Sequence, residues 1–476
     1  MRRFSDTNAF RLLALGVAAT LLAGGAVAVD RTLDRVAAQD RRQPSIVLIL
    51  TDDQRADTMF AMPITRRVLG GHGITYRNAF VVNSICCPSR ASILTGQYSH
   101  TTGVWSNRPR YGGFAAFSDK ETIATRLQES GYTTGHVGKY LNGYYGTYVP
   151  PGWDRWFAFS GKAPYRQREL YYDFFTNEDG RLGYVGHDFD DYSTDVMAER
   201  AIEFIHDTRG PLFLQFAPAA PHIPATPAEE DESKFQDLPP WRPPGYNEPD
   251  VADKPKWVRD LKKLGPNVIP TIRRRQLQSL QPVDRAVERI VEALRETGRL
   301  DNTLIVFTSD NGYAWGEHRW KNKQTPYEHD IRVPMIVRYD RLIEEARTDD
   351  HFVLNVDLAP TFAALAGVPL PRADGRSLIP LFGKPFLQWR TDFLIEHRED
   401  EGEIKVPSYC GIRNTRFTYV RYFTLEEELY DLVRDPYQLN NVVRDRRYSE
   451  ALAELRDRNR ALCDPPPPDA PVGFPP

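Results

Sequence analysis

The sequence predicts an α/β protein with a mostly parallel sheet flanked by helices, followed by a smaller C-terminal α+β domain. Nearly continuous apolar runs are the first indication, because they are typical of strands buried on both faces of a parallel sheet. Helical patterns between these runs are the second, since strands that alternate with helices form parallel sheets. Short strand patterns beyond Pro380 are the third indication, and they predict the smaller second domain. We therefore expect an α/β domain over residues 44–380 and a second domain over residues 381–476.

The predicted strands of the main sheet are residues 45–50, 211–216, 303–307 and 333–337. Apolar residues recur at helical spacing over residues 196–205 and 283–294, before the second and third of these strands. Residues 218–281 are rich in proline and have no regular pattern. This stretch is predicted to be a long surface insertion, either over a site or as decoration.

The C-terminal domain is predicted to hold strands over residues 392–395, 409–413 and 416–422, then a helix over residues 449–462. From Asp464 onward the chain is rich in proline, which predicts a tail without core potential.

Residues 1–43 are predicted to be a targeting segment and its linker. A basic start precedes an apolar run over residues 12–29, and Ala-Val-Ala at 26–28 fits a cleavage site. The alternative is an uncleaved membrane anchor, because this run approaches the length that spans a bilayer. Residues 30–43 are polar and predict a linker. We expect a secreted or cell-surface protein whose contact with a membrane is confined to this segment.

The overall composition is that of a globular protein and excludes one class of partner. Hydrophobic residues make up 41% of the chain and charged residues 26%, with a net charge of −3. We expect no nucleic-acid binding, because no stripe rich in Lys and Arg is present. Export allows disulfides, so Cys410 and Cys463 either pair or remain free thiols.

Oxygen-bearing side chains follow two of the predicted strands. Asp52 and Asp53 come after the first strand, and Asp310 and Asn311 come after the strand at 303–307. Ligands of open α/β sheets bind outside the carboxyl ends of the strands. The two pairs therefore predict a site there, although a single Asp in such a place can also serve as a helix cap or turn residue.

The segment SICCPSRASILTG, residues 84–96, contains two adjacent cysteines. Neighbouring cysteines rarely pair, because disulfide geometry strains them. From Cys86 onward the segment resembles the signature of the type I sulfatases. In that family a Cys, followed by Pro two places on and Arg four places on, is oxidised to formylglycine by a maturation enzyme. Pro88 and Arg90 select Cys86, whereas Cys87 occupies the variable position.

The resemblance implies an alkaline-phosphatase-like fold and a specific nucleophile. The formylglycine aldehyde hydrates to a geminal diol, one hydroxyl of which attacks sulfur. The other hydroxyl later loses its proton, and the collapse to the aldehyde expels sulfate. A serine or an unmodified cysteine lacks this second hydroxyl.

The same resemblance implies a metal site. Its ligands are Asp52, Asp53, Asp310, Asn311 and the modified side chain of Cys86. Converging carboxylates repel one another and raise one another's pKa values unless a cation lies among them. Oxygen ligands favour Ca²⁺, or Mg²⁺, over zinc. The metal would lower the pKa of the diol hydroxyl and bind a sulfate oxygen.

Basic residues that match family positions complete the predicted site. Arg90 would hold the diol, Lys139 and Lys323 would bind sulfate, and His222 would protonate the leaving alcohol. Taken singly, each lysine is more often a surface charge and His222 more often a loop residue.

Three further histidines lie near these motifs. We expect His100 to support the turn after residue 96, and His318 or His329 either to line the pocket or to pack elsewhere.

One position departs from the family pattern. Many sulfatases place a histidine two positions after the first lysine, where it helps to eliminate sulfate, but this chain has Leu141. His136, Asn142 or water could serve as the base that eliminates sulfate. The Gly-Lys-Tyr-Leu-Asn variant at 138–142 resembles the N-acetylglucosamine-6-sulfatase branch. The resemblance covers about residues 45–442.

The sequence therefore predicts hydrolysis of sulfate esters, with a sulfated saccharide such as 6-O-sulfated N-acetylglucosamine as substrate. A phosphonate or phosphate ester hydrolase of the same superfamily is the alternative enzyme. A secreted binding protein with unconverted Cys86 is the non-catalytic alternative.

Overall fold

The computed structural model of the chain describes residues 43–162, 169–400, 405–472 and 474. The predicted targeting segment lies outside these residues. From Pro44 onward the chain forms one compact unit. Within the described ranges, no helix has both the length and the apolar character needed to cross a bilayer.

The strands, in chain order, are β1 (Ser45–Thr51), β2 (Ile74–Tyr76), β3 (Ala79–Phe80), β4 (Thr133–Gly138), β5 (Arg155–Ser160), β6 (Phe174–Glu178), β7 (Arg181–Val185), β8 (Leu212–Ala217), β9 (Thr303–Ser309), β10 (Met335–Arg338), β11 (Arg347–Asp349), β12 (Val353–Leu354), β13 (Asp392–His397), β14 (Tyr409–Asn414), β15 (Phe417–Tyr422) and β16 (Glu427–Asp431). The helices are α1 (Pro63–Val68), α2 (Cys86–Thr95), α3 (Ser99–Thr102), α4 (Ile123–Glu129), α5 (Ser193–Asp207), α6 (Lys256–Arg259), α7 (Val268–Glu296), α8 (Glu328–Ile331), α9 (Leu358–Ala366), α10 (Ile379–Gly383) and α11 (Ser449–Leu462).

A ten-stranded sheet in the order β11-β2-β10-β9-β1-β8-β4-β5-β6-β7 forms the centre of the molecule. The block from β9 to β5 is parallel throughout, whereas β10, β6 and β7 pair antiparallel with their neighbours. The predicted mostly parallel α/β sheet is confirmed, and the run at 333–337 forms its antiparallel strand β10.

The central strands are apolar along their whole length because both faces of the sheet are covered. Ile46, Leu48 and Leu50 of β1 pack with α2, α4 and α9 on one face. Val47 and Ile49 pack with α5 and α7 on the other face. Each fully buried aliphatic side chain contributes about 1.5–3 kcal/mol, so the two cores fix the register of the strands that carry the site.

The long helix α7 corrects one prediction, because the irregular insertion ends before Val268 and not at residue 281. The first half of α7 buries polar side chains, and Pro282 lies inside the helix. Gln276, Gln278 and Gln281 donate hydrogen bonds to backbone carbonyls of surrounding loops. Because these hydrogen bonds satisfy the side-chain amides, the glutamines can be buried. They stand where a buried helix face normally has the apolar residues that make it recognisable in a sequence.

An antiparallel sheet of four strands, in the order β13-β14-β15-β16, and helix α11 form the smaller C-terminal part. A disulfide between Cys410 of β14 and Cys463 after α11, with Cα atoms 6.2 Å apart, joins the two. The predicted tail without core potential is wrong for Phe474, which is buried against Phe423 with ring centroids 4.6 Å apart. The domain boundary near residue 380 stays a prediction.

Candidate active site

The site lies at the carboxyl ends of β1, β9 and β4. Strands β1 and β9 are paired in register, so that Thr51 is opposite Ser309. Asp52 and Asp310 therefore leave the sheet side by side. The structure thus brings together the two pairs of oxygen-bearing residues that the sequence places about 250 positions apart.

The acidic residues form a buried cluster. The backbone N–H of Asp53 donates to Oδ1 of Asp310 at 3.1 Å, and the side-chain amide of Asn311 donates to Oδ1 of Asp53 at 2.6 Å. Asp53 has a φ of 66°, a left-handed conformation that costs free energy in a residue other than glycine. The contacts to Asp310 and Asn311 hold it there, so the backbone turn is part of the site.

Helix α2 begins at Cys86 and presents that side chain to the cluster. The Cys86 Sγ lies 3.4 Å from Oδ1 of Asp52 and 3.9 Å from Oδ1 of Asp53. The Cys87 side chain packs in the apolar core of the sheet, and its backbone N–H donates to Asn107. Burial raises the pKa of both thiols, that of Cys87 to about 12. The geometry therefore distinguishes Cys86 from its neighbour in the same way as the motif does.

Arg90 lies one helical turn after Cys86 and is fully buried. Its Nε donates to Oδ2 of Asp310 at 2.7 Å, and one terminal nitrogen donates to the carbonyl of Lys139 at 2.6 Å. A second terminal nitrogen lies 3.4 Å from Oδ2 of Asp52. The guanidinium thus joins α2 to the ends of three strands and neutralises part of the acidic charge.

Two lysines reach the cluster from different loops. Lys139 follows Gly138, whose φ of 123° and close approach to the Ala217 carbonyl leave no room for a Cβ atom. The Nζ of Lys139 hydrogen-bonds Oδ2 of Asp52. The Nζ of Lys323 lies 2.5 Å from Oδ1 of Asp53 and 2.6 Å from the Cys86 Sγ. Both ammonium groups therefore lie beside the candidate nucleophile, where they could bind an anionic substrate.

His222 faces the cluster from the loop after β8. Its Nδ1 donates to the carbonyl of Ile223 at 2.6 Å, which leaves Nε2 directed at the site, 3.8 Å from Oδ2 of Asp53. The hydroxyl of Tyr171 donates to the His222 carbonyl at 2.5 Å. Burial of most of the ring lowers the pKa of His222 to about 3, so the ring is neutral in the free site. Tyr171 was not predicted, because its contact with His222 spans 51 residues.

The acidic cluster fits a divalent cation. Ligand atoms of Asp52, Asp53, Asp310 and Cys86 lie within 4.8 Å of one another. Two buried oxygens there, Asp53 Oδ2 and Asn311 Oδ1, have no hydrogen-bond partner among the described residues. Buried polar atoms are rarely left unpaired, so these two oxygens are available to coordinate an ion. Carboxylate and amide oxygens are the ligands preferred by Ca²⁺ and Mg²⁺.

The electrostatics of the cluster show the same need for positive charge. Burial raises the pKa of Asp53 and Asp310, and the negative charge of Asp52 raises both further. Burial also acts on Asp52, but the surrounding cations, Lys139 first, outweigh it and lower the pKa of that carboxyl. A bound cation would stabilise the ionised form of all three carboxylates.

The three further histidines contact residues other than those of the acidic cluster. His100 Nδ1 is 2.8 Å from a carboxylate oxygen of Glu396 on β13. His318 Nδ1 is 2.6 Å from a carboxylate oxygen of Glu248. His318 and His329 both line a cavity of about 200 Å³ next to the loop that follows β1.

Two of the residues considered for the second step, Leu141 and His136, are buried. Leu141 is buried in the apolar core. The ring of His136 is fully buried and stacks on Trp156 with centroids 4.5 Å apart. The backbone of Asn142 contacts the Cys87 thiol. His136 is therefore a core histidine.

Comparisons with known proteins bear on the family of this chain. The family model described as Sulfatase matches residues 44–368. The model described as N-sulphoglucosamine sulphohydrolase, C-terminal, matches residues 316–464. The chain is 37% identical over 387 residues to the extracellular sulfatase SULF-1 homolog of Drosophila melanogaster. The aligned residues are 76% of this chain and 34% of that protein. It thus spans about a third of the length of this relative, and it covers 56% of a similar relative from Caenorhabditis elegans.

A third relative matches over most of its own length. The N-acetylglucosamine-6-sulfatase of Homo sapiens is 31% identical over 458 residues, which are 85% of this chain and 81% of that protein.

Solved structures show the same fold. A structure described as a complex with its substrate D-glucosamine-2-N,6-O-disulfate has a TM-score of 0.78 at 26% identity, over 89% of this chain and 98% of that chain. A phosphonate monoester hydrolase of Agrobacterium radiobacter has a TM-score of 0.70 at 20% identity, over 88% of this chain and 95% of that chain. The fold is therefore the alkaline-phosphatase-like fold of the sulfatases. Since the family model spans most of the chain and the human relative matches over most of both lengths, the chain belongs to the sulfatase family.

Proposed function

We propose that this chain hydrolyses sulfate esters after Cys86 has been converted to formylglycine. The observation that carries the proposal is the position of the Cys86 side chain. It is the one cysteine of the motif that contacts the acidic cluster, and it lies beside the ammonium group of Lys323. A formylglycine hydrate at residue 86 would supply a hydroxyl nucleophile at this point.

Asp52, Asp53, Asp310 and Asn311 would hold Ca²⁺, or Mg²⁺, together with the modified side chain of residue 86. The unpaired oxygens of Asp53 and Asn311 support this assignment. The ion would supply positive charge that lowers the pKa of the attacking hydroxyl and binds a sulfate oxygen.

The remaining residues would bind the sulfate group and move one proton. Lys139 and Lys323, which lie beside Asp52 and Cys86, would contact sulfate oxygens, and Arg90 would neutralise charge at residue 86. His222 Nε2 faces the site and would donate a proton to the leaving alcohol. The bound sulfate carries negative charge beside the ring and favours its protonated form. Leu141 carries no base and His136 is packed against Trp156, so we propose that water serves the second step.

We propose a sulfated saccharide as substrate, with 6-O-sulfated N-acetylglucosamine as the first candidate. Support comes from the human relative, whose name states that activity, and from the solved complex with a 6-O-sulfated glucosamine. The similarity to the phosphonate monoester hydrolase concerns the fold alone. We further propose export, which the names of the extracellular relatives support, with residues 1–43 as the targeting segment or anchor.

The test is sulfate release by protein co-produced with a formylglycine-generating maturation enzyme. Sulfate release from N-acetylglucosamine 6-sulfate is measured beside turnover of a phosphonate monoester by the same preparation. We expect hydrolysis of the sulfate ester to dominate. Dominant phosphonate turnover would favour the alternative enzyme, and an unmodified, inactive Cys86 would favour the non-catalytic alternative.

A further inference from the structure

The loop that carries Lys323 is fixed by contacts with the segment before Cys86. The backbone N–H of Gln324 donates to the Ser84 carbonyl at 2.9 Å. In return, the Ser84 hydroxyl donates to the Thr325 carbonyl at 2.9 Å. Ser84 precedes Cys86 by two residues, and Gln324 follows Lys323 directly. These two bonds therefore set the separation of the two functional side chains.

A tyrosine of the C-terminal sheet contacts the junction between the Ser84 segment and the Gln324–Thr325 segment. Tyr409, the first residue of β14, is fully buried. Its hydroxyl donates to the Gln324 carbonyl at 3.1 Å and lies next to the Ser84 side chain. One hydroxyl group therefore touches both segments that bring Cys86 and Lys323 together.

The backbone at this junction needs such support. Gln324 has a φ of 84°, a left-handed conformation that a glutamine keeps only when the surrounding structure enforces it. The Lys323 side chain contacts Asp53 and Cys86 and not the backbone of Gln324. The Tyr409 hydroxyl donates its hydrogen bond to the carbonyl of this strained residue, Gln324.

We propose that Tyr409 is a positioning residue through which the C-terminal sheet sets the place of the Lys323 ammonium beside residue 86. The inference rests on the proposed function, in which Lys323 binds sulfate. It gives the C-terminal sheet a role in catalysis although that sheet contributes no side chain to the reacting group.

The test compares two buried tyrosines of the same sheet. Tyr409→Phe removes the hydroxyl at the junction. Tyr419→Phe is the matched control, because the Tyr419 hydroxyl donates to Glu427 at 2.6 Å on the side of the sheet that packs against α11. The affinity for inorganic sulfate is measured by calorimetry, which needs no turnover. Thermal unfolding of both variants reports stability.

We expect Tyr409→Phe to weaken sulfate binding about five- to tenfold, as the loss of one hydrogen bond predicts, while Tyr419→Phe keeps the wild-type affinity. In a Lys323→Ala background the second substitution Tyr409→Phe should have no further effect, because a positioning residue acts through its target. If Tyr409→Phe does not fold, Ser84→Ala breaks the same junction from the other side and should weaken sulfate binding in the same way.

Equal losses in the two tyrosine variants, or a loss that persists without the Lys323 amine, would overturn the inference. Failure of the proposed function would be recognised separately, as absence of sulfate-ester hydrolysis by the wild-type protein.

Discussion

His222 provides the sharpest test of the proposed chemistry, because its role depends on the leaving group. An alcohol of a sugar leaves as a strong base unless it is protonated, because the pKa of its hydroxyl is close to that of water. A phenol has a pKa of about 10 and leaves as a stabilised anion. A general acid is therefore needed for the sugar sulfate and far less for an activated aryl sulfate.

The structure holds the His222 ring in place, so the expected loss of activity in His222→Ala is that of a positioned general acid. The ring of His222 is held through its Nδ1 bond to Ile223 and through the Tyr171 hydroxyl bound to its carbonyl. Positioned proton transfer of this kind contributes about 10²–10⁴-fold. We expect His222→Ala to lower kcat on N-acetylglucosamine 6-sulfate at least a hundredfold, and to lower turnover of an activated aryl sulfate by less than about tenfold.

The assay follows sulfate release from both substrates by one preparation of each variant, with the converted fraction of Cys86 determined by mass spectrometry. Tyr171→Phe serves as the control, since it loosens the loop but keeps the ring, and should cost about fivefold on the sugar sulfate. Equal losses on both substrates in His222→Ala would remove the acid role from this residue.

Further predictions concern the metal, the disulfide and the core. Asp310→Ala should lose the bound metal and activity together in elemental analysis and turnover assays, and stoichiometric zinc in active protein would contradict the oxygen-ligand argument. Replacing Cys410 and Cys463 with serine should lower the free energy of unfolding by about 2–4 kcal/mol, because the closed loop spans 53 residues; an unchanged denaturation midpoint would refute this. Leu94→Ala, at a fully buried position of α2, should cost about 2–5 kcal/mol, whereas Val433→Ala at an exposed position should cost less than about 0.5 kcal/mol in the same denaturation experiment.

Much of the sheet could be predicted because its signals are local. The apolar run that becomes β1 is covered on both faces, and burial alone produces that pattern. The direction of β10 could not be predicted, because an apolar run carries no information on whether its neighbour is parallel. The start of α7 was missed because its buried face is built from glutamines whose partners lie in other loops.

In the site, too, the residues with local sequence signals were predicted and those that depend on distant contacts were not. Cys86 and Arg90 were predicted from one contiguous motif, and the oxygen-bearing residues from two short segments that each follow a strand. The pairing of β1 with β9 brings those two segments together. Tyr171 and Tyr409 were not predicted, since each acts through a backbone carbonyl 51 or 85 residues away. A tyrosine in a core pattern gives no sign of the carbonyl that its hydroxyl will meet.

The central claim is that residue 86, and not residue 87, becomes the nucleophile. Mass spectrometry of the tryptic peptide 78–90 from active protein measures this directly, together with the activities of Cys86→Ala and Cys87→Ala. We predict one aldehyde at residue 86, loss of all turnover in Cys86→Ala and retention of most of it in Cys87→Ala. An aldehyde at residue 87, or an active enzyme in which Cys86 remains a thiol, would contradict the account.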